Sequence, residues 1–304
     1  MRVGVVDLGT NTTRLLVADV HDEHVDQVVR HSEITRLGEG VDKRRKLLPL
    51  PMARVRNVLS DYRRELEELG AERVLAIATS SVRDAENGEA FLGEIEWSYG
   101  FATRLLSGDE EAALIYRGVA DGGELDHDTL VLDVGGGSTE LILDGARTSL
   151  DIGSVRLTER FLHSDPPTAG ELEAAAAAVE LPDLQSASAI GVAGTNTTLA
   201  ALELGGYDPE RVHGYRISRE AVEQQLHRLA SLPLAERREL PGLEPERAPV
   251  IVGGALIVKK VLDRYGLDGI EVSERDLLQG AALEAAKLPE PEEGDAPPGA
   301  YTCC

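Results

Sequence analysis

Two stretches of this chain, VGVVDLGTNTTRLLVADV from Val3 and LVLDVGGGSTELILDG from Leu130, align at one constant offset of 126 residues (133 − 7). Asp133 falls on Asp7, Gly135 on Gly9, Ser138 on Thr12, Thr139 on Thr13 and Leu141 on Leu15. Each stretch reads as an apolar strand, a glycine-containing turn and a second apolar strand, the pattern of a hairpin. Chance similarity between two hairpins would reproduce hydrophobicity alone. Shared aspartate, glycine and hydroxyl positions argue for duplication instead. A duplicated chain predicts two related α/β lobes, with the hairpin turns facing each other across a cleft and a boundary near Gly122 to Asp128.

The segments between the hairpins fit that plan. Met52, Val55, Leu59, Tyr62, Leu66 and Leu69 recur at steps of three and four, which puts them on one helix face with Gly70 as the C-cap. Val74 to Ala78 and Ala102 to Leu106 read as short buried strands, with helices over Asp84 to Tyr99 and Glu110 to Ala120. The second half continues with a helix over Ala169 to Val179, a strand over Ala189 to Ala193 and a GTNTT turn opening a helix to Leu204. A last strand covers Ile270 to Ser273, and a last helix covers Asp276 to Ala286. The expected domains are therefore 1–125 and 126–288, the last helix being free to pack back on the first lobe. The segment 289–304 has no periodicity and reads as a disordered tail.

Composition narrows the function classes. Among 304 residues, 54 acidic and 31 basic side chains leave a formal charge of −23, which repels nucleic-acid backbones and anionic membranes. The longest apolar run, Ala248 to Val258, ends at Lys259, well short of the about 20 residues a membrane span needs. The start MRVGVVDLG lacks a secretory pattern, and Cys303 and Cys304 close no loop, so the expectation is a cytoplasmic protein. The seven histidines have no zinc-binding spacing, and His21 and His24 read as turn residues.

The turns carry the chemistry. Glycine lets successive N–H groups face one way and Thr or Ser adds hydroxyl donors, so Thr10, Asn11 and Thr12 in one turn and Gly136, Gly137, Ser138 and Thr139 in the other form candidate phosphate cradles. A third GTNTT at Gly194 to Thr198 adds to the pattern. Asp7 and Asp133 beside the turns would repel phosphate by about 1 kcal/mol in water at 4 Å, or about 4 at an effective dielectric of 20. A bridging Mg²⁺ reverses that sign, so a metal-dependent phosphate site is expected. Arg83, between a strand and a helix for which Asp84 is the expected N-cap, is placed to form bidentate bonds with phosphate. Ser107 and Glu110 have capping-box spacing. Glu111 is left over, a first-turn acid that on residue chemistry alone complements the helix dipole.

Taken together, DLGTNTTRLLV, TRLGEGV, ATSSVRDAEN, SGDEEA, DVGGGSTE, GSVRLTERF and AGTNTTLAA resemble the exopolyphosphatase/guanosine pentaphosphate phosphohydrolase (Ppx/GppA) family, in order from Asp7 to Ala201 and more weakly through Ala248 to Gly280. The resemblance implies the duplicated α/β, ribonuclease H-like fold of actin, Hsp70 and sugar kinases. It implies hydrolysis of terminal phosphate from inorganic polyphosphate or pppGpp. By the same resemblance Glu111 orients and deprotonates the attacking water, Arg83 holds phosphate, and Asp133 and Glu140, with Asp7, lie at Mg²⁺ or Mn²⁺. Arg14 and the Asn11 and Ser138 turns then surround the chain end, and a homodimer is an assembly open to the family.

Longer relatives add helical C-terminal domains, so action on long chains is doubtful and short polyphosphates are the expected substrate. With so acidic a chain, attraction must be local, through Arg14, Arg36, Arg83, Arg156 and the Lys43-Arg44-Arg45-Lys46 cluster, which reads equally as a solvated loop. A pppGpp 5′-phosphohydrolase is the alternative. A non-catalytic sensor of either compound is opposed by intact Glu111, Asp133 and Glu140, and a kinase by the SGDEEA and ATSSVRDAEN segments.

Overall fold

The structure, a computed structural model, describes residues 1–289. The expected disordered tail, with Cys303 and Cys304, lies outside the described residues but for Pro289.

The first apolar stretch forms β1 (Arg2–Leu8) and β2 (Thr13–His21), which pair antiparallel with Val5 opposite Leu16 and Asp7 opposite Arg14. β3 (His24–Glu33) continues the meander, so that His21 and His24 flank a two-residue turn. No sequence pattern marks β3. It is an edge strand with mostly exposed side chains whose register against β2 shifts between Val17 and Ala18, so it lacks the alternation by which half-buried strands are recognised. β4 (Arg73–Ala78) and β5 (Ala102–Leu105) add in parallel on the other side of β1, giving the order β3-β2-β1-β4-β5.

The second copy repeats this plan strand for strand. β6 (Thr129–Val134) pairs antiparallel with β7 (Thr139–Leu143), which pairs with β8 (Ala146–Leu150). On the other side β9 (Ser188–Val192) and β11 (Gly269–Val272) run parallel to β6, and β10 (Arg216–Ser218) caps the edge. The order β10-β11-β9-β6-β7-β8, read backwards, is that of the first sheet plus one edge strand.

By its contacts the described chain forms two compact units, Met1–Gly123 with 277–289, and Glu124–Asp276. In the first, the helix Pro49–Glu68 buries Val55, Leu59, Tyr62 and Leu66 against one face of the sheet, and Phe91 and Ile95 of the helix Gly88–Tyr99 complete that core. The last helix, Leu277–Ala285, packs on β1, β2 and β4 and on the helix Gly108–Ala120. Gly280 makes this possible, because a Cβ there would lie 1.9 Å from the Leu114 carbonyl oxygen. Both faces of β1 are thereby covered, which is why every residue from Val3 to Leu8 is buried. In the second unit the apolar run found in the sequence becomes the helix Ile251–Tyr265, buried on nearly all sides. Among the described residues no helix is long and apolar enough to cross a membrane.

Two local expectations are corrected. The helix expected over Asp84 to Tyr99 begins at Gly88 and runs to Tyr99, with Asn87 rather than Asp84 at its N-cap, and a separate short helix, Ser80–Arg83, precedes it. Gly88 comes so close to the Val82 carbonyl, 2.0 Å from its would-be Cβ, that the chain must turn there. The third GTNTT is not a turn. It lies inside the helix Ala193–Leu204, because it leads into LAALEL rather than into a strand.

Candidate active site

In the first unit the Gly9 N–H donates to the Thr12 carbonyl at 3.0 Å and closes the turn. A Cβ on Gly9 would stand 2.8 Å from that oxygen, so glycine is required. A neighbouring loop locks the turn from outside, with Arg36 N–H donating to the Asn11 carbonyl at 2.9 Å and Gly38 N–H to the Thr10 carbonyl at 2.8 Å. Thr10 and Ser80 share a hydrogen bond at 3.0 Å, which ties the turn to the short helix after β4. Arg14 Nε donates to Asp7 Oδ2 at 2.8 Å.

The same short helix aims Arg83, whose guanidinium donates to the Leu106 carbonyl at 2.6 Å and lies 3.7 Å from Glu111 Oε2. Glu111 and Glu110, adjacent in sequence, have separate surroundings. Glu110 completes the capping box, accepting from the Ser107 N–H and hydroxyl at 2.9 Å, and Arg104 also donates to it. These bonds, led by the Ser107 N–H, pull its carboxyl down to about 2. Glu111 is turned inward and only 6% exposed.

In the second unit the Gly135 N–H donates to the Ser138 carbonyl at 3.1 Å, the counterpart of Gly9 and Thr12. The helix Ser154–Phe161 begins against this loop. Ser154 N–H donates to the Gly135 carbonyl, and the Val155 and Arg156 N–H groups donate to the Gly136 carbonyl. Arg156 Nε takes the Gly137 carbonyl at 2.8 Å. Gly153 permits the approach, since its Cβ would be 2.5 Å from the Gly136 carbonyl carbon. With its carbonyls held, the loop is fixed with donors to spare: no backbone carbonyl among the described residues accepts from the N–H of Gly136, Gly137 or Ser138. The Thr139 hydroxyl, by contrast, is committed to the Ile152 carbonyl at 2.6 Å.

Cross-strand partners distinguish the two hairpins. Asp7 faces Arg14, whereas Asp133 faces Glu140. Opposed residues share a sheet face, so the second hairpin sets two like charges side by side, 5% and 1% exposed. Ser149 donates to Glu140 Oε1 at 2.8 Å. Two buried carboxylates beside a donor-rich loop form the hard-oxygen set that suits Mg²⁺, which takes one or two carboxylates and completes its shell with water and phosphate. Asp7, by contrast, has a counter-ion in its own hairpin and belongs to the other unit. Among the described residues no group of three or more His, Cys, Asp or Glu side chains is gathered to hold a metal ion.

The remaining candidates are engaged elsewhere. In the third GTNTT, Thr195 bonds to the Val134 carbonyl and Thr198 to the Gly194 carbonyl, and the Arg247 guanidinium lies where a Gly194 Cβ would be. The basic cluster pairs with local acids, Lys46 with Glu86 at 3.4 Å and Arg45 with Asp84 at 3.9 Å. Sequence reasoning missed Gly38, Ser80 and Gly153, which shape the turns. Their only signals were a glycine in TRLGEGV, the paired serines of ATSSVRDAEN and the glycine opening GSVRLTERF.

The pattern that defines the Ppx/GppA phosphatase family matches residues 16–288. The chain belongs to that family. Exopolyphosphatase 2 of Mycobacterium tuberculosis is 38% identical, over 94% of this chain and 98% of that protein. The guanosine-5′-triphosphate,3′-diphosphate pyrophosphatase of Vibrio vulnificus is 31% identical, over 92% of this chain but 58% of its own length. A crystal structure of the Aquifex aeolicus Ppx/GppA family member aligns with a TM-score of 0.76 at 32% identity, over 94% of this chain and 98% of the other. The two sheets of matching strand order are the duplicated α/β architecture of this Ppx/GppA phosphatase.

Proposed function

We propose that this Ppx/GppA phosphatase is an exopolyphosphatase that hydrolyses the terminal phosphoanhydride bond of inorganic polyphosphate and prefers short chains. The observation that carries this reading is the division between Glu110, consumed by a helix cap, and Glu111, buried beside Arg83. The 38% identity with a relative named exopolyphosphatase, over nearly its whole length, supports it.

In this mechanism Glu111 accepts a hydrogen bond from a water molecule, aims its lone pair at the terminal phosphorus, and takes the proton as the new P–O bond forms. The bridging P–O bond breaks on the opposite side, releasing orthophosphate and a chain one unit shorter. Arg83 offsets the charge of Glu111 in the resting protein and bonds a phosphoryl oxygen once substrate is present. In the second unit the N–H groups of Gly136, Gly137 and Ser138 are donors for phosphate oxygens, as the Thr10–Thr12 turn is in the first. Asp133 and Glu140 would hold Mg²⁺, or Mn²⁺ in its place, and the bound ion would neutralise phosphate charge. Preference for short chains is supported by the net charge of −23, which sets a mostly acidic surface against a long polyanion.

Hydrolysis of pppGpp at its 5′ end is the second reading, favoured by the 31% identity to the Vibrio pyrophosphatase. A cytoplasmic location and a homodimer belong to the same reading, open to fractionation and light scattering. Incubation with polyphosphate, pppGpp and ATP, with and without Mg²⁺, tests it. Orthophosphate released fastest from polyphosphate is expected; release from pppGpp alone selects the second reading, and none from any substrate selects a sensor.

A further inference from the structure

Three strands of the second unit set polar residues in a row across one face of the sheet: Asp133 of β6 stands opposite Glu140 of β7, and Glu140 stands opposite Ser149 of β8. The duplicated hairpin of the first unit carries the same row with one change, Asp7 opposite Arg14 and Arg14 opposite Ser32. Both copies keep aspartate and serine at the ends and differ in the middle, arginine in one and glutamate in the other. In the first copy the row neutralises itself, because Arg14 donates to Asp7 Oδ2 at 2.8 Å. In the second copy the residue facing Glu140 on β6 is another carboxylate, and from β8 the Ser149 hydroxyl donates to Glu140 Oε1 at 2.8 Å.

A hydroxyl at that place does what a lysine or arginine could not. Either cation would offset the charge of Glu140, as Arg14 does for Asp7, and weaken the carboxylate as a metal ligand. A neutral donor instead fixes the rotation of the carboxylate and leaves its charge in place. Glu140 is 1% exposed, so a protein donor rather than bulk water orients it. The same segment also reaches the glycine loop. β8 leads to Ile152, whose carbonyl accepts from the Thr139 hydroxyl at 2.6 Å, and on to Gly153 and the helix Ser154–Phe161, whose first N–H groups hold the Gly135 and Gly136 carbonyls. One stretch of chain therefore sets both the aim of Glu140 and the shape of the loop.

We propose that Ser149 is a positioning residue for metal binding: its hydroxyl holds Glu140 in the orientation in which Glu140 and Asp133 would take up a divalent cation. The equivalent Ser32 has no such role, because Arg14 already balances Asp7. The inference rests on the reading of Asp133 and Glu140 as metal ligands and adds the residue that aims one of them.

The experiment measures Mn²⁺ binding to the full chain without substrate, by electron paramagnetic resonance of the free ion, for wild type, Ser149→Ala, Ser149→Thr and Ser32→Ala, with melting temperatures alongside. The expected result is affinity about tenfold weaker in Ser149→Ala, restored to within about twofold of wild type by Ser149→Thr, and unchanged in Ser32→Ala. A lower Tm in Ser149→Ala with unaltered Mn²⁺ affinity would make the hydroxyl merely structural and overturn the proposal. Equal weakening in Ser149→Ala and Ser149→Thr, or in Ser149→Ala and Ser32→Ala, would overturn it too, by taking the effect away from this hydroxyl. Glu140→Gln separates the two levels of the account. Mn²⁺ bound equally by wild type and Glu140→Gln, or by neither, removes the metal reading together with the inference, whereas weak binding by Glu140→Gln beside full binding by Ser149→Ala removes the inference alone.

Discussion

The guanidinium of Arg83 stands 3.7 Å from the carboxylate of Glu111, and both groups are held from behind: Arg83 by the Leu106 carbonyl and Glu111 by the first turn of the helix that Ser107 caps. In the proposed mechanism the pair couples the group that aims water to the group that binds phosphate, so removing either should impair turnover by a different route.

Glu111→Gln keeps the shape of the side chain but takes no proton, and kcat should fall by at least about 10²-fold with substrate affinity retained. Glu110→Gln should keep most activity and lower Tm by roughly 2–4 °C, the effect of losing about 1 kcal/mol of capping. Steady-state kinetics and thermal melts on both variants check this division, and equal activity losses would refute it.

The capping box also fixes a pH dependence. The folded-state carboxyl of Glu110 lies at about 2 against an ordinary 4.5, so the folded state binds its proton less readily than the unfolded state. A depressed carboxyl stabilises fully above its unfolded value, and the contribution disappears as pH falls through its folded value. The stability gap between wild type and Glu110→Gln should therefore hold near neutrality and narrow from about pH 4.5 toward about 2. Urea denaturation at several pH values measures it; a gap that widens on acidification contradicts the assignment.

Gly153→Ala should distort the glycine loop, because the new Cβ would meet the Gly136 carbonyl carbon at 2.5 Å and the Gly137 nitrogen at 2.7 Å, backbone atoms that cannot rotate away. Activity and orthophosphate affinity should drop by about tenfold or more, in line with the lost alignment of loop donors. Gly170→Ala, in a helix with nothing within 4 Å of the new Cβ, should instead stabilise by about 0.5–1 kcal/mol and leave kinetics untouched.

Asp133→Asn removes one carboxylate of the Asp133–Glu140 pair, and the Mg²⁺ concentration for half-maximal activity should rise by about tenfold or more. Asp7→Asn should move it less, since Arg14 already faces Asp7. Metal titrations of the two variants distinguish the hairpins.

Much of this was legible in the sequence wherever a residue type is fixed by backbone chemistry. The hairpins could be aligned because Asp, Gly and hydroxyl positions recur at one offset, and the Ser107–Glu110 capping box because its spacing is local. The features that could not be read depend on neighbours remote in the chain. The edge strands β3, β8 and β10 lack an apolar alternation and are placed by pairing with a neighbour and by single apolar contacts with the cores, Val29, Leu150 and Ile217. GTNTT is one pentapeptide with two structures, a turn at Gly9–Thr13 and a helix at Gly194–Thr198, decided by whether a strand or a helix-forming run comes after it.

The central claim is water attack at a chain end directed by Glu111, and the most direct test tracks size-fractionated polyphosphate on gels while orthophosphate release is quantified, for wild type and Glu111→Gln in Mg²⁺. The account predicts that wild type releases one orthophosphate per step and shortens all chains together, with kcat/KM per chain end flat or falling with length, and that Glu111→Gln binds substrate but leaves it intact. Internal fragmentation, full-length chains persisting beside free phosphate, or undiminished turnover by Glu111→Gln would contradict it.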